Sequence, residues 1–441
     1  LARRDFCCFL NNRRGRVSLP AICEDIFSMS LIENRAAIAP LHRHVSLRAE
    51  GQNLPTVADM VATLRPSEPL HCIRPAVIAA AAQNFTAAFN GDVLYAVKCN
   101  PEPVVLRALW EGGVRHFDCA SISEVQLVRR LFPGAAIHFM HPVKSRVAIR
   151  EAWGVYGVRD FVLDSFTELE KIGQEIDHSC LPGLFVRIAL PETGAVINLS
   201  KKFGADFETA VMLLRAARPL AGRLGVAFHA GSQCLDPLAW RDAIAMAGEV
   251  IRASGVHVDV LDIGGGFPAA YPDMDPPPLG AFMAEIDAAY DRLGMPWLKL
   301  WAEPGRALVA GGGSVVVQVQ LRRGNMLYIN DGVYGALADA GALKFRFPTR
   351  LLRKGHSPGA PDAAFGFFGP SCDSLDVMHG PFILPDDVQE GDWIEIGQLG
   401  AYGTCLRTAF NGFDRAALVE VRDRAMLEIG GSEPDAARRA A

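Results

Sequence analysis

Between about residues 75 and 310, short runs rich in β-branched and aromatic residues alternate with longer stretches of helical period. The runs are Val93–Val97, Val114–Phe117, Ile137–Met140, Asp160–Leu163, Leu184–Ile188, Val226–Phe228, Val258–Ile263 and Leu298–Trp301. Between them, segments such as Ser123–Leu131, Ser165–Ile176, Phe207–Ala217 and Leu279–Arg292 bring apolar positions back every three or four residues among good helix formers, which predicts helices. Eight β and α units in alternation are the arithmetic of an α/β chain folded as a (β/α)8 barrel. A doubly wound open sheet has the same alternation, and strand counting alone does not separate the two.

After Pro304 the pattern shifts to Ser314–Leu321, Met326–Ile329, Ala364–Phe368 and Asp392–Ile396, broken by Gly and Pro turns, which predicts an all-β C-terminal domain. The chain is expected to divide into a poorly ordered extension over 1–28, an N-terminal segment over 29–74 that can contribute to the β-domain, the barrel over 75–310, the β-domain over 311–430 and a fraying Ala- and Arg-rich tail over 431–441. Met29 opens the first ordinary stretch, so the native start is expected near it. A transit peptide is the competing reading, opposed by Asp5, Glu24 and Asp25.

Half of the 441 residues are apolar and 21% are charged, which excludes disorder, collagen and a disulfide miniprotein. Lys plus Arg number 44 against 49 Asp plus Glu, a net charge of −5, so the basic footprint of a nucleic-acid binder is missing and a small-molecule partner is favoured. No apolar run nears the roughly 18 residues of a membrane helix. The ten Cys are scattered without a CxxC pair or a zinc spacing, which fits reduced thiols in a cytoplasm and no bound metal.

In a (β/α)8 barrel the chemistry gathers at the carboxyl ends of the strands. Here the eight runs end at or near Lys98, Asp118, His141, Asp164, Arg187, His229, Gly264-Gly265-Gly266 and Glu303. Helix N-capping accounts for Asp164 and in part for Asp118. It does not account for Lys, Arg, His and Glu at one rim, where unpaired charges beside an apolar core are costly. Lys98 follows Val93-Leu94-Tyr95-Ala96-Val97, where desolvation would depress the amine pKa and suit it to bind a carbonyl; alone, it reads as a lysine reaching for solvent. The glycine run lets backbone N–H groups approach a phosphate, although alone it signals only a turn. Glu303 and Arg306 add a carboxylate and a guanidinium, for which an internal ion pair is the plain alternative. An amine, a phosphate loop, an Arg and a buried carboxylate are the partners that the aldehyde, phosphate and pyridine nitrogen of pyridoxal 5'-phosphate (PLP) need. His138 and His141 lack a partner at metal spacing and are read as structural.

From about residue 90 to 415 the chain resembles the fold-type III PLP-dependent decarboxylases, most closely their ornithine decarboxylase branch. The resemblance is carried by Tyr95 to Asn100, Phe117 to Ser121 with Glu124, Lys202-Phe203-Gly204 and Phe228 to Ser232. It continues through Leu261 to Pro268, Ala302 to Arg306, Asn330 to Gly335, Gly369 to Asp376, and Gly400-Ala401-Tyr402 leading to Phe410-Asn411-Gly412-Phe413. It implies an alanine racemase-like barrel followed by a β-domain. Lys98 would hold PLP, His229 would stack on its ring, and Glu303 would pair with the pyridine nitrogen. Gly265, Gly266, Arg306, Ser232 and Tyr402 would hold the phosphate, with Asp118, Glu124 and Arg187 as supporting residues. Cys372 would protonate the substrate Cα, and Cys372 and Asp373 would come from the partner subunit of a head-to-tail homodimer, with Lys202 and Asp376 as a candidate ion pair across it. A buried Cys is more often a small hydrophobe, but Gly-Pro-Ser-Cys-Asp is an unusual core setting.

The substrate implied is ornithine or lysine, decarboxylated to a diamine in polyamine biosynthesis. One block departs from the branch: the acidic pair that meets the distal ammonium is missing from Ala336 to Pro348, where Asp339 is the candidate substitute and Lys344, Arg346 and Arg350 follow. A different substrate, diaminopimelate- or arginine-like or with a non-cationic distal group, is therefore the alternative; the basic residues lining a solvated strand edge is the plain one. Further rivals are a racemase of this fold, a Schiff-base aldolase, and a catalytically dead regulatory homologue, which retention of Lys98, His229, Glu303, Arg306 and Cys372 opposes.

Overall fold

The computed structural model describes residues 43–44, 53–177, 180–191, 194–197, 202–353 and 360–428. The expected extension over 1–28 and the tail over 431–441 lie outside the described residues. Two early strands, β1 (Arg43–His44) and β2 (Leu70–Ile73), precede the barrel.

Eight parallel strands then close on themselves: β3 (Asp92–Ala96), β4 (His116–Cys119), β5 (Ala136–Phe139), β6 (Asp160–Leu163), β7 (Gly183–Arg187), β8 (Arg223–Ala227), β9 (Val260–Asp262) and β10 (Lys299–Ala302), with β10 pairing back onto β3. Closure excludes the open sheet. Alternation along each strand sends one set of side chains inward, and Leu94, Met140, Val162, Phe185, Ala227, Val260 and Trp301 form their own cluster there. Gly225 makes room for it, since a Cβ there would meet the Phe185 ring at 2.2 Å. The other faces of the strands pack against helices such as Ile122–Leu131, Phe166–Glu175, Phe207–Ala217 and Leu238–Ser254, which bury Val125, Leu169, Leu213 and Ile244.

A nine-stranded mixed sheet follows, built from β11 (Gly313–Arg323), β12 (Met326–Ile329), β13 (Thr349–Leu352), β14 (Asp362–Phe368), β15 (Val377–Pro385), β16 (Trp393–Ile396) and β17 (Ala417–Glu420). The N-terminal strands complete it, with β17 and β11 both pairing β2, and β1 pairing β17. Arg74, just after β2, donates to Ser314 at 2.9 Å and pairs with the buried Glu395 of β16, so the lead-in to the barrel is bonded to the sheet. Within the described residues no helix is long and apolar enough to cross a membrane.

Candidate active site

Lys98 leaves β3 in the 3-10 turn Val97–Cys99, and its Nζ donates to Asp118 Oδ2 at 2.9 Å. The expected depression of its pKa does not occur. Desolvation pushes the amine down, but Asp118 and Glu303 outweigh it and hold the ammonium above its ordinary value. Asp118 is 1% exposed within β4, and its Oδ1 is buried without a hydrogen-bond partner. Neither Asp118 nor Asp164 caps a helix: Ser121 and Ser165 accept the capping N–H groups of Glu124 and Glu168, and Asp164 instead accepts the Gly204 N–H at 3.0 Å. Glu124 Oε2 accepts the Ala120 N–H at 2.6 Å, and burial pushes its carboxyl up to about 7.

Glu303 follows β10 directly, with its N–H on the Gly264 carbonyl at 2.8 Å. Its neighbour is Asp262, the fully buried last residue of β9, which carried no role in the sequence reading. Asp262 Oδ1 accepts the Gly264 N–H at 2.9 Å, its Oδ2 is buried without a hydrogen-bond partner, and the two carboxyl groups act on each other electrostatically. Two neighbouring carboxyl groups this deeply buried oppose each other's ionisation, which favours a proton on one of them. Burial, then the adjacent carboxyl groups, push Glu303 well above the usual carboxylate range, and burial pushes Asp262 up to about 7. The signal for Asp262 was its place at a strand end before three glycines.

His229, two residues past β8, accepts the Gly231 N–H on Nδ1 at 3.0 Å. Burial, then the charges of Arg187 and Lys98, hold its pKa well below the ordinary value, so the ring is neutral, with its hydrogen assigned to Nε2. Arg187 ends β7, its guanidinium 5.7 Å from the Phe203 ring centre. Gly265 and Gly266 join these groups at close quarters. A Cβ on Gly265 would lie 2.5 Å from the Glu303 carbonyl and 3.1 Å from His229 Nε2, and Gly266 has φ +107°, which an L side chain resists. Ser232 is half-buried and exchanges backbone hydrogen bonds with Ile197.

Arg306 lies three residues beyond Glu303, 4% exposed. Its Nη1 donates to the Tyr271 hydroxyl at 2.7 Å and its Nη2 to Asp339 Oδ2 at 3.0 Å, while its Nε is buried without a partner. The rings of Phe345 and Tyr402 each lie 5.0 Å from its guanidinium carbon. Tyr402, at φ +56°, is fixed by its N–H on the Cys99 carbonyl at 2.9 Å. Asp339, considered for the substrate's distal ammonium, thus has its carboxylate on Arg306. Of the basic residues after it, Arg350 pairs with Glu395 and Arg346 lies 3.6 Å from Asp273, so carboxylates of the chain itself take them up.

Cys372 and Asp373 lie on the loop between β14 and β15. Cys372 is exposed, its N–H on Asn411 Oδ1 at 3.0 Å, and Asp373 accepts the Tyr334 hydroxyl. Among the described residues neither has a hydrogen bond or ion pair to Lys98 or Glu303. Asp376, the candidate partner of Lys202 across a dimer, has its carboxylate engaged within its own chain. It is 3% exposed and accepts from Val333 N–H at 2.9 Å, Ser371 N–H at 3.0 Å and Ser371 Oγ at 2.7 Å, so it folds the Cys372 loop. His138 bonds His116 at 3.0 Å and Asp160 at 2.9 Å, and no group of three or more His, Cys, Asp or Glu among the described residues is arranged to hold a metal.

These groups fit PLP on three separate counts: an amine at a strand end for its aldehyde, a buried carboxyl on Glu303 for its ring nitrogen, and an unpartnered buried N–H on Arg306 for its phosphate. The model of the pyridoxal-binding domain of pyridoxal-dependent decarboxylases matches residues 76–310. The lysine/ornithine decarboxylase of Selenomonas ruminantium is 33% identical over 364 residues, 80% of this chain and 89% of that protein. The ornithine decarboxylase of Panagrellus redivivus is 34% identical over 371 residues, 78% and 83% of the two chains. Among solved structures, the Paramecium bursaria Chlorella virus arginine decarboxylase bound to agmatine superposes with a TM-score of 0.73 at 28% identity, covering 83% of this chain and 99% of that one. The lysine/ornithine decarboxylase of Vibrio vulnificus complexed with cadaverine gives 0.71 at 30% identity, covering 83% and 98%. Geometry, family model and relatives agree, and the chain belongs to the fold-type III, PLP-dependent decarboxylases of basic amino acids, on their ornithine decarboxylase-like branch.

Proposed function

We propose that this protein decarboxylates ornithine or lysine to the corresponding diamine, a polyamine-forming reaction, at a site shared between two copies of the chain. The observation that carries the reading is the presence at one barrel rim of a charged Lys98, bonded to Asp118, and a buried Glu303 whose carboxyl is held well above the usual range.

Bound there, PLP supplies an aldehyde for an amine and an electron sink for the pair left on Cα when carbon dioxide departs. Lys98 would hold the aldehyde, with Asp118 as the resting partner of its Nζ. Glu303 would pair with the ring nitrogen, and Asp262 would set its proton affinity. The neutral His229 offers a flat face to the ring without adding charge. Arg306, the N–H groups of Gly265 and Gly266, Ser232 and Tyr402 would hold the phosphate, and Glu124 and Arg187 would support the rim. Cys372 then returns one proton to Cα, replacing the lost carboxylate, while the neighbouring Asp373 faces the distal ammonium.

The shared site is supported by the exposure of Cys372, which among the described residues has no hydrogen bond to Lys98 or Glu303, and by the exposure of Leu375, Phe410 and Phe413. A second reading, a substrate of the diaminopimelate or arginine type or one with a non-cationic distal group, is favoured by one fact: the Asp339 carboxylate is engaged by Arg306.

The test is carbon dioxide release by PLP-loaded protein from L-ornithine, L-lysine, L-arginine, meso-diaminopimelate and acidic amino acids. Turnover of ornithine or lysine above the others supports the proposal. Turnover of another member alone moves it to the second reading, and turnover of none rejects the proposal.

A further inference from the structure

We infer that Asp339 is a positioning residue for cofactor phosphate binding: its carboxylate orients Arg306 and is not the ligand of the substrate's distal ammonium. The inference rests on the PLP-decarboxylase reading and deepens it.

The Arg306 guanidinium is nearly sealed from water, with only 3% of its side chain exposed. Burying an unpaired charge costs several kcal/mol, so such a group needs a counter-charge. Asp339, 11% exposed as a side chain, supplies it at 3.0 Å. Burial acts against the charge on Arg306, but Tyr271 and Asp339 outweigh it and hold the guanidinium charged. An Arg side chain carries five N–H donors in a rigid fork. One goes to Tyr271 and one to Asp339, and Nε–H is buried with no acceptor. Phe345 and Tyr402 cover the guanidinium at 5.0 Å each, so it cannot swing to find another partner without displacing an aromatic ring. The result is a fixed fork with donors left over.

The loop is folded to make this contact. Asp339 sits in the 3-10 turn Ala338–Ala340, and its own carbonyl accepts the Phe345 N–H at 2.9 Å, so the residue that pairs with Arg306 also anchors the residue whose ring covers it. A carboxylate held this way on an arginine has little left for an ammonium, whereas an arginine held this way is preset for an incoming phosphate dianion. Recognition of the distal group then falls to other residues, such as Asp373.

The test is a titration of cofactor-free protein with PLP and, separately, with pyridoxal, which lacks the phosphate. In Asp339→Asn the PLP dissociation constant should rise about tenfold, the cost of one charge-assisted hydrogen bond, with pyridoxal affinity unchanged. Asp339→Glu, which keeps the charge, should recover part of the loss, and Arg306→Gln combined with Asp339→Asn should lose no more than Arg306→Gln alone. Unchanged PLP affinity in Asp339→Asn with a raised KM for ornithine or lysine would overturn the inference in favour of a substrate ligand. Equal loss for PLP and pyridoxal would overturn it in favour of a merely structural residue. If Asp339→Asn does not fold, Tyr271→Phe, which removes the other bond to Arg306, must show the same split between PLP and pyridoxal or the preset fork is rejected. Wild-type protein that binds no PLP would be a different failure, that of the decarboxylase reading itself.

Discussion

Replacing Asp262 by Asn tests whether two buried carboxyl groups share a proton behind the cofactor site. Asp262 is 0% exposed and its carboxyl is raised from 3.8 to about 7, chiefly by burial. A carboxyl with a raised folded pKa holds its proton more tightly in the native state. Its contribution to stability is therefore complete below about pH 4, falls as pH rises through about 7, and is flat above. At about 1.36 kcal/mol per pH unit, the loss across that window is about 4 kcal/mol at most. Asn keeps the oxygen that accepts from Gly264 and turns the other atom into a donor toward Glu303, so the variant has no proton to lose at this position and lets Glu303 ionise more easily. Denaturant unfolding of cofactor-free wild type and Asp262→Asn, run at pH 5 and pH 8, should show the variant gaining on the wild type between the two pH values by about 2.6 kcal/mol, because part of the window lies below pH 5. A difference between the two proteins that is the same at both pH values would refute the shared proton.

Gly265→Ala places a Cβ 2.5 Å from the Glu303 carbonyl and 3.1 Å from His229 Nε2, so it should cost about 1–3 kcal/mol in unfolding free energy and weaken PLP binding together; PLP titration and denaturant melts check both. Cys372→Ala removes an exposed thiol and should leave stability within about 0.5 kcal/mol while sharply slowing diamine formation, measured by product chromatography. Arg407 and Asp331 form a buried pair at 2.7 Å, so Arg407→Leu leaves an uncompensated carboxylate and should cost about 3–5 kcal/mol, read from the denaturant midpoint.

The strands and helices of the barrel were legible because each buries one face against a partner layer, and that need writes its period into the chain. Phe207–Ala217 and Asp160–Leu163 form as the pattern predicts, to the residue. The caps were misread by one to three positions: Ser121 and Ser165, next to the apolar runs, compete better for the first N–H groups than Asp118 and Asp164, which are drawn to Lys98 and Gly204. What could not be read was long-range pairing between charges. The sign of the Lys98 shift depends on Asp118 and Glu303, 20 and 205 residues away, and a run of apolar neighbours says nothing about them. The engagement of Asp339 by Arg306 could not be read, because only the fold brings the two together. The engagement of Asp376 by Val333 and Ser371 could not be read either, because only the closed loop brings them together.

The central claim is a reacting site with Lys98 in one barrel and Cys372 from a second chain. Lys98→Ala and Cys372→Ala proteins, each deficient alone, should be mixed, exchanged and assayed for carbon dioxide release from ornithine and lysine. If the site is shared, half the dimers formed at random carry one of each variant and one intact site, and activity returns to about a quarter of the wild-type value. If both residues act within one chain, no mixed dimer holds an intact site, and activity that stays at the level of the separate variants would contradict the account.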